Sequence, residues 1–251
     1  PRQKSRGDRV ERKADSGEIR LNKYIANSGI CSRRDADMMI RSGAVKVNGE
    51  IIVEMGYKVK MGDKVSVQGN SIKPEKPQYL LLNKPKDYLT TTKDPQNRKT
   101  VMELIKGACK ERVYPVGRLD RNTTGLLLFT NNGDLAKKLM HPKHKIKKIY
   151  HVTLDKNLER KDMMEIAAGP VLEDERIAVD AIGYKEGGKK NEVEIHLHSG
   201  QYHVVRRIFE QAGYKVNRLD RVKYGPFTKK NLPRGKWRLL KEEEINLLHR
   251  L

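Results

Sequence analysis

The sequence predicts an α+β protein in which helices flank a mixed, mostly antiparallel sheet. Short apolar runs and alternating stretches, both typical of strands, are interspersed irregularly with segments of helical periodicity. Several of the predicted strands are joined by links of hairpin length, and no segment of the chain repeats. The dipeptide Asn48-Gly49, between two such stretches, is the strongest short hairpin signal in the chain.

Composition limits the class of protein. The chain has 251 residues, enough for one or two domains, and a formal net charge of +21. Such an excess of positive charge indicates a polyanionic partner, with nucleic acid first and an anionic membrane surface second. No apolar run approaches the roughly 18 residues of a membrane span, and no signal-like segment is evident. We therefore expect no membrane association.

The cysteine content indicates where the protein works. Cys31 and Cys109 stand alone, without the spacing of metal ligands. His196 and His198 share one face of a predicted strand, but no third ligand is near them in the sequence, so we expect structural or surface roles. These observations predict a cytoplasmic protein with no metal site.

Four segments are predicted along the chain. Residues 1–18 are mostly charged or small and should form a disordered basic tail. Residues 19–68 should form a compact unit, residues 69–77 a proline-containing linker, and residues 78–251 a second domain. Strands of the second domain are predicted at Tyr79–Leu82, Leu126–Phe129, Ile149–Leu154, Ala178–Ile182, Glu192–Leu197 and Arg218–Tyr224, and helices at Val101–Ile105, Asp134–Met140, Leu158–Ala168, Gln201–Gly213 and Glu242–Leu248.

The first unit contains an unusual helix start. Ser32 can cap a helix, and Asp35 three residues later completes a capping-box pattern. Arg33 and Arg34 lie in the first turn of that helix, where positive charge opposes the helix dipole. Two arginines at the unfavourable end suggest that they serve a ligand, most simply a phosphate.

The candidate catalytic residue of the second domain is Asp120. It lies between Arg118 and Arg121 on a loop that enters a short apolar strand. A carboxylate beside two cations should stay ionised, which suits a nucleophile or a substrate-orienting anion better than a general acid. On spacing alone, a structural ion pair explains the same residues. A second Arg-Leu-Asp-Arg at 218–221 lacks the Thr-Gly-Leu-Leu-Leu that follows the first, so Asp120 is preferred to Asp220.

The first unit resembles S4 RNA-binding domains. The resemblance rests on the pattern Ser-Arg-Arg-x-Ala at 32–36 and Gly-x-Val-x-Val-Asn-Gly at 43–49. It implies a basic face for structured RNA, made by Arg20, Lys23, Arg33, Arg34 and Lys46. Contacts of this kind supply affinity and register but little base information.

The second domain resembles the catalytic domain of pseudouridine synthases of the RsuA type. Residues 115–135 match Pro-Val-Gly-Arg-Leu-Asp-x-x-Thr-x-Gly-Leu-Leu-Leu-x-Thr-Asn-x-Gly-x-Leu, and residues 148–150 match Lys-x-Tyr. Residues 203–207 resemble His-Gln-Val-Arg-Arg, with Val204 in place of the usual glutamine. Residues 218–240 fit the pattern of the C-terminal segment.

This second resemblance implies an enzyme that detaches uracil from its ribose and reattaches it through carbon, without a cofactor. Asp120 would be the nucleophile, Arg206 the cation that pairs with it, and Tyr150 the aromatic ring against the target base. Arg118 and Lys148 would contact the RNA. Since Val204 lacks the amide of the usual glutamine, the sequence does not show what would support the side chain of Arg206.

The substrate implied by the resemblance is rRNA, since an S4 domain precedes the catalytic domain. The C-terminal pattern is most similar to the RluB-like branch, which implies a 23S rRNA hairpin near the peptidyl transferase centre, bound as naked rRNA or in a subunit precursor by a monomeric enzyme. A 16S rRNA or tRNA target is an alternative. So is a non-catalytic S4-type RNA-binding or ribosome-assembly factor. A glycosidase is disfavoured because it normally needs two carboxylates, and one acid stands in the candidate site.

Overall fold

The computed structural model describes residues 17–251, so the predicted tail lies outside it apart from Gly17 and Glu18. The described chain forms two compact units, the first ending at Lys76 and the second running from Pro77 to Leu251. Each unit has its own hydrophobic core.

The first unit packs two helices on a small antiparallel sheet. Its elements are β1 (Ile19–Arg20), α1 (Leu21–Asn27), α2 (Arg33–Arg41), β2 (Val45–Val47), β3 (Glu50–Ile51), β4 (Lys58–Val59), β5 (Val65–Val67) and β6 (Asn70–Ile72). Four of the strands pair in the order β3-β2-β5-β6, while β1 pairs with β4. The core contains Leu21, Ile25, Ala36 and Ile40 from the helices and the buried valines of the strands.

Local sequence signals explain most of this unit. The capping box is confirmed: Ser32 Oγ accepts from the Asp35 main-chain nitrogen, and the Asp35 carboxylate accepts from the Ser32 nitrogen, both at 3.2 Å. Asn48 and Gly49 both have positive φ, as the two-residue turn between β2 and β3 requires. One expectation differs from the structure. Asn70–Ile72, which the sequence places in the linker, forms β6 because it pairs with β5.

The second unit is built around one large sheet. Its elements are β7 (Tyr79–Lys84), α3 (Val101–Leu104), β8 (Tyr114–Pro115), β9 (Thr124–Thr130), α4 (Gly133–Met140), β10 (Lys148–Leu154), α5 (Arg160–Ala167), β11 (Val171–Leu172), β12 (Glu175–Arg176), β13 (Val179–Tyr184), β14 (Glu192–Leu197), α6 (Val204–Gln211), β15 (Val216–Tyr224), β16 (Phe227–Thr228), β17 (Trp237–Leu239) and α7 (Glu242–Arg250). In the described chain the main path of this sheet is β13-β14-β10-β15-β9-β7-β17. The pair β9–β15 is parallel and its neighbours are antiparallel, which confirms the predicted mixed sheet.

The two halves of the sheet are covered differently. β7 and β9 are buried on both faces, with α4 and α7 packed on one side and α3 on the other. This explains their continuous apolar sequence. β10 and β14 alternate instead, because α5 and α6 cover the face of Tyr150 and Val152 while polar side chains occupy the opposite face. No helix between residues 17 and 251 is long and apolar enough to cross a membrane.

Candidate active site

Asp120 lies on the loop between β8 and β9, where its carboxylate has two partners. Nε2 of His203 is 3.0 Å from Asp120 Oδ1. The Thr123 hydroxyl donates to Oδ2 at 3.3 Å. Both the Asp120 and the His203 side chains are about one-third exposed, at 32% and 33%. The carboxylate is therefore held in one orientation while it remains open to a ligand.

Lys84, at the end of β7, holds the main chain of this loop from the buried interior of the domain. The Lys84 side chain is fully buried, and its ammonium donates to the carbonyls of Asp120, Arg121 and Thr123 at 3.0, 3.3 and 2.9 Å. Burial lowers the pKa of Lys84 to about 8, although the carboxylates of Asp120 and Asp87 raise it in part. A buried lysine that binds three carbonyls fixes the position from which Asp120 projects.

A cavity of about 480 Å³ opens beside the Asp120 carboxylate. Its wall includes residues of the Asp120 loop, the end of α4, the segment before α6, and β10 and β15. The predicted residues Asp120, Tyr150, Arg118 and Lys148 all line it. His203 and Arg221, for which the sequence suggested no role, line it as well.

Tyr150 and Arg221 are opposed across the pair β10–β15. The register of this pair shifts between Ile149 and Tyr150, so Ile149 lies opposite Lys223 and Tyr150 opposite Arg221. A shift of this kind is a β-bulge, which re-aims side chains and occurs often beside active sites. Tyr150 is 8% exposed and lines the cavity.

Arg221 is the buried cation of the site. Its side chain is nearly inaccessible and Nε donates to the carbonyl of Leu126 at 2.8 Å. Nη2 is buried without a hydrogen-bond partner in the described part of the chain. A buried, incompletely bonded guanidinium strongly favours a nearby anion.

Gly125 permits this placement of Arg221. It has φ +110°, and a Cβ added there would lie 2.2 Å from the Arg221 carbonyl oxygen. Gly125 and Arg221 are directly paired where β9 and β15 run parallel. The glycine of the Thr-Gly-Leu-Leu-Leu run therefore lets β9 approach β15 closely at Arg221.

The pairing predicted between Arg206 and Asp120 is not the one in the structure. Arg206 Nη1 donates to the Val216 carbonyl at 3.0 Å, and the ion pair of Asp120 is with His203. The reason is the rotation of α6. Val204 lines the cavity, and at about 100° per residue Arg206 lies about 200° further around the helix. Val204 is itself buried, and Arg206 is held by the Val216 carbonyl.

In the second Arg-Leu-Asp-Arg segment, Arg221 lines the Asp120 cavity and Asp220 does not. Asp220 accepts from Thr124 at 2.8 Å and from Arg234 at 2.9 Å, and it also contacts Lys229. Burial would raise the pKa of Asp220, but these hydrogen bonds outweigh it and lower the pKa to about 2. The carboxylate of Asp220 is thus fully engaged by neighbouring side chains, and Asp220 does not line the Asp120 cavity.

The other predicted binding residues are placed as follows. Lys148 donates to the carbonyls of His198 and Ser199 at 2.9 and 3.1 Å. Burial, followed by the charge of Arg221, lowers its pKa to about 8. Arg118 lines the cavity but does not pair with Asp120, and Arg121 pairs with Asp87 at 3.4 Å. In the first unit Arg20, Arg33, Arg34 and Lys46 are exposed and Lys23 is partly exposed.

The two strand histidines are engaged by carboxylates: His196 lies 2.7 Å from Glu194 and His198 lies 2.8 Å from Asp180. Within residues 17–251, no group of three or more His, Cys, Asp or Glu side chains could hold a metal ion.

Sequence reasoning missed Lys84, His203 and Arg221. A lysine that ends an otherwise apolar buried strand is a signal that could have identified Lys84. His203 stands at the first position of the segment that resembles His-Gln-Val-Arg-Arg, and that position is the signal that could have identified it. The preference for Asp120 over Asp220 rests on the missing Thr-Gly-Leu-Leu-Leu after the second copy and does not exclude Arg221. Successive strand residues point to opposite faces, so Arg221 can enter the site when Asp220 does not.

The fold and this cavity define an RNA-modifying enzyme whose catalytic domain follows an RNA-binding domain. Residues 78–211 match the family model of RNA pseudouridylate synthases, and residues 19–65 match the S4 domain model. The chain belongs to the RNA pseudouridylate synthase family, and its relatives place it in the RsuA group.

Individual relatives agree. The chain is 42% identical to an uncharacterized RNA pseudouridine synthase of Aquifex aeolicus, over 91% of this chain and 92% of that one. It is 38% identical to the ribosomal large subunit pseudouridine synthase B of Bacillus subtilis, over 92% of this chain and 96% of that one. A crystal structure of a pseudouridylate synthase superimposes with a TM-score of 0.65 at 30% identity, covering 92% of this chain and 99% of the other.

Proposed function

We propose that this enzyme converts one uridine of large-subunit rRNA to pseudouridine, with Asp120 as the nucleophile. The observation that carries the proposal is the grouping of Asp120, Tyr150 and Arg221 around one cavity. A volume of about 480 Å³ lies within the range of small-ligand sites and suits one everted nucleotide.

The cavity supplies the groups that the isomerisation needs. A carboxylate oxygen of Asp120 attacks C1′ of the ribose, and the C1′–N1 bond breaks with its electron pair on uracil. The freed uracil turns, C5 bonds to C1′, and the carboxylate is released. The C5 proton passes to solvent, where the tritium-release assay detects it, and N1 takes a proton from solvent, so atoms and charge balance. No atom is added and no electron is gained or lost overall, so the sequence consumes neither a redox partner nor a group donor.

The other residues of the wall would assist this sequence. Tyr150, in the wall, stacks on the base and limits its movement while it is detached. The unpaired Nη2 of Arg221 stabilises negative charge on the departing uracil or on Asp120, and does so strongly because water is excluded from it. Arg118 and Lys148 hold RNA phosphates close to the entrance.

The role of Asp120 is tested by tritium release from rRNA labelled at uridine C5. Asp120→Asn keeps the size of the side chain but removes the nucleophile, and it should reduce the rate by at least about a thousandfold. Asp174→Asn is the matched control, because Asp174 lies in the exposed turn between β11 and β12. Normal release by Asp120→Asn would end the assignment.

Large-subunit rRNA is supported as the target by three facts. The Bacillus subtilis relative is named for the large ribosomal subunit, the chain carries an S4 domain, and its net charge of +21 suits a large polyanion. The enzyme would act on it as a monomer in the cytoplasm. Pseudouridine mapping in rRNA from cells lacking the protein should show one missing site in 23S rRNA. A missing site in 16S rRNA or tRNA would redirect the proposal.

A further inference from the structure

An exposed aromatic pair lies at the edge of the candidate active site. The ring of Tyr202 stacks on the ring of His203, with centroids 3.8 Å apart and planes inclined by 14°. Tyr202 is 65% exposed, and both residues line the cavity that contains Asp120. The hydroxyl of Tyr202 bonds to no residue in the described chain, and the stacking on His203 occupies one face of its ring.

The pair is maintained by a strained main chain. His203 precedes α6 with φ +51° and ψ +23°, a left-handed conformation that costs a non-glycine residue about 1–2 kcal/mol. In this conformation the same histidine contacts Asp120 through Nε2 and Tyr202 through its ring face. A glycine at position 203 would adopt this conformation without strain. Strained main chain that persists beside a cavity often indicates a functional residue.

The bases that flank the target uridine in the RNA could use such an aromatic surface. When a uridine leaves its stack to enter the cavity, the bases beside it lose stacking partners. Unstacked bases in loops are bound by aromatic side chains, which accept any base because every base has a π face. Tyr150, at 8% exposure, is too enclosed for a flanking base, whereas Tyr202 presents its ring to solvent.

We propose that Tyr202, backed by His203, is the stacking platform for an unpaired base that flanks the target uridine. This inference rests on the proposed function, in that the RNA must deliver its uridine to this cavity. His203 then has two neighbours, the catalytic carboxylate on one side and the platform on the other. Stacking of the flanking base on Tyr202 would position the RNA so that the target uridine reaches Asp120.

The experiment compares Tyr202→Phe, Tyr202→Leu and Tyr202→Ala by tritium release, with large-subunit rRNA from cells that lack the protein. Phenylalanine keeps the π face and should behave as the wild type. Leucine keeps bulk without a π face, so Tyr202→Leu and Tyr202→Ala should raise KM roughly five- to hundredfold. Their kcat should stay within about threefold, because Asp120 keeps its histidine. A leucine variant equal to the phenylalanine variant, or a loss confined to kcat, overturns the platform.

A second measurement does not need turnover. In a Trp237→Phe background, Tyr202→Trp should lose fluorescence when the same rRNA stacks on it. Tyr184→Trp is the control, since Tyr184 is an exposed tyrosine of β13 outside the cavity wall. Equal quenching of both indoles overturns the platform. Quenching of Tyr202→Trp alone, by an enzyme that releases no tritium, would keep the platform and refute the proposed reaction.

Discussion

Nζ of Lys84 lies 3.0 Å from the main-chain oxygen of Asp120, at the end of a strand whose six residues are all buried. The lysine does not bind the carboxylate directly. It binds the carbonyls of the loop from which the carboxylate projects, and it connects that loop to β7, which pairs with β9 on one side and β17 on the other. The loop that carries the proposed nucleophile is therefore positioned by a charge in the core.

Replacing this lysine should destabilise the protein and impair catalysis. Lys84→Met removes the hydrogen bonds to the carbonyls of Asp120, Arg121 and Thr123 that hold the loop, which should lower the unfolding free energy by about 2–4 kcal/mol. The rate of tritium release should fall as well, because Asp120 loses its fixed position. Urea denaturation and the release assay measure the two effects. Lys86→Met, on the exposed side of the same segment, should alter the unfolding free energy by less than about 0.5 kcal/mol.

The stability difference between wild type and Lys84→Met should depend on pH. Burial holds the pKa of Lys84 near 8 in the folded protein, below its ordinary value of 10.5. Between these values the unfolded chain binds more protons than the folded one, so the unfolding free energy of the wild type rises with pH. The variant lacks this contribution, and the difference should widen from pH 8 to pH 10. Urea titrations of both proteins at several pH values test it, and a narrowing difference would contradict the assigned pKa.

Loss of the His203 side chain should reduce kcat more than it changes KM. A hydrogen bond to a charged group contributes about 1.5–3 kcal/mol, which corresponds to roughly ten- to hundredfold in rate if it serves to orient Asp120. His203→Ala should show this loss in the release assay, while His196→Ala, whose ring pairs with Glu194 on another face of the sheet, should not. An unchanged kcat would mean that the Asp120–His203 contact has no part in catalysis.

A single methyl group at position 125 should prevent the site from assembling. Gly125→Ala would place a carbon 2.2 Å from the Arg221 carbonyl, at a φ that alanine adopts poorly. We expect the unfolding free energy to fall by more than about 4 kcal/mol, or the variant to give no soluble protein. Gly183→Ala on β13 is the matched control, since nothing lies within 4 Å of the added carbon. Soluble yield and thermal denaturation compare the two, and similar stability of both variants would disprove the close approach of β9 and β15.

Much of the architecture was accessible from local patterns. The capping box at Ser32, the hairpin at Asn48-Gly49 and the buried strand after Asp120 each depend on residues close together in the chain. The resemblance to S4 domains and to pseudouridine synthases is confirmed by the family matches. Asp120 and Tyr150 line one cavity, as their motifs suggested, although their catalytic roles remain proposals.

The sequence by itself determined the class of fold, the enzyme family and the candidate carboxylate, because periodicity, turn residues and motif spacing are local properties. Only the tertiary structure decided which cations and which histidine surround Asp120. The rotation of α6 turns Arg206 away, a bulge sets Arg221 opposite Tyr150, and Lys84 reaches the loop from inside the core. Each depends on how elements far apart in the chain pack together, and no local pattern encodes that register.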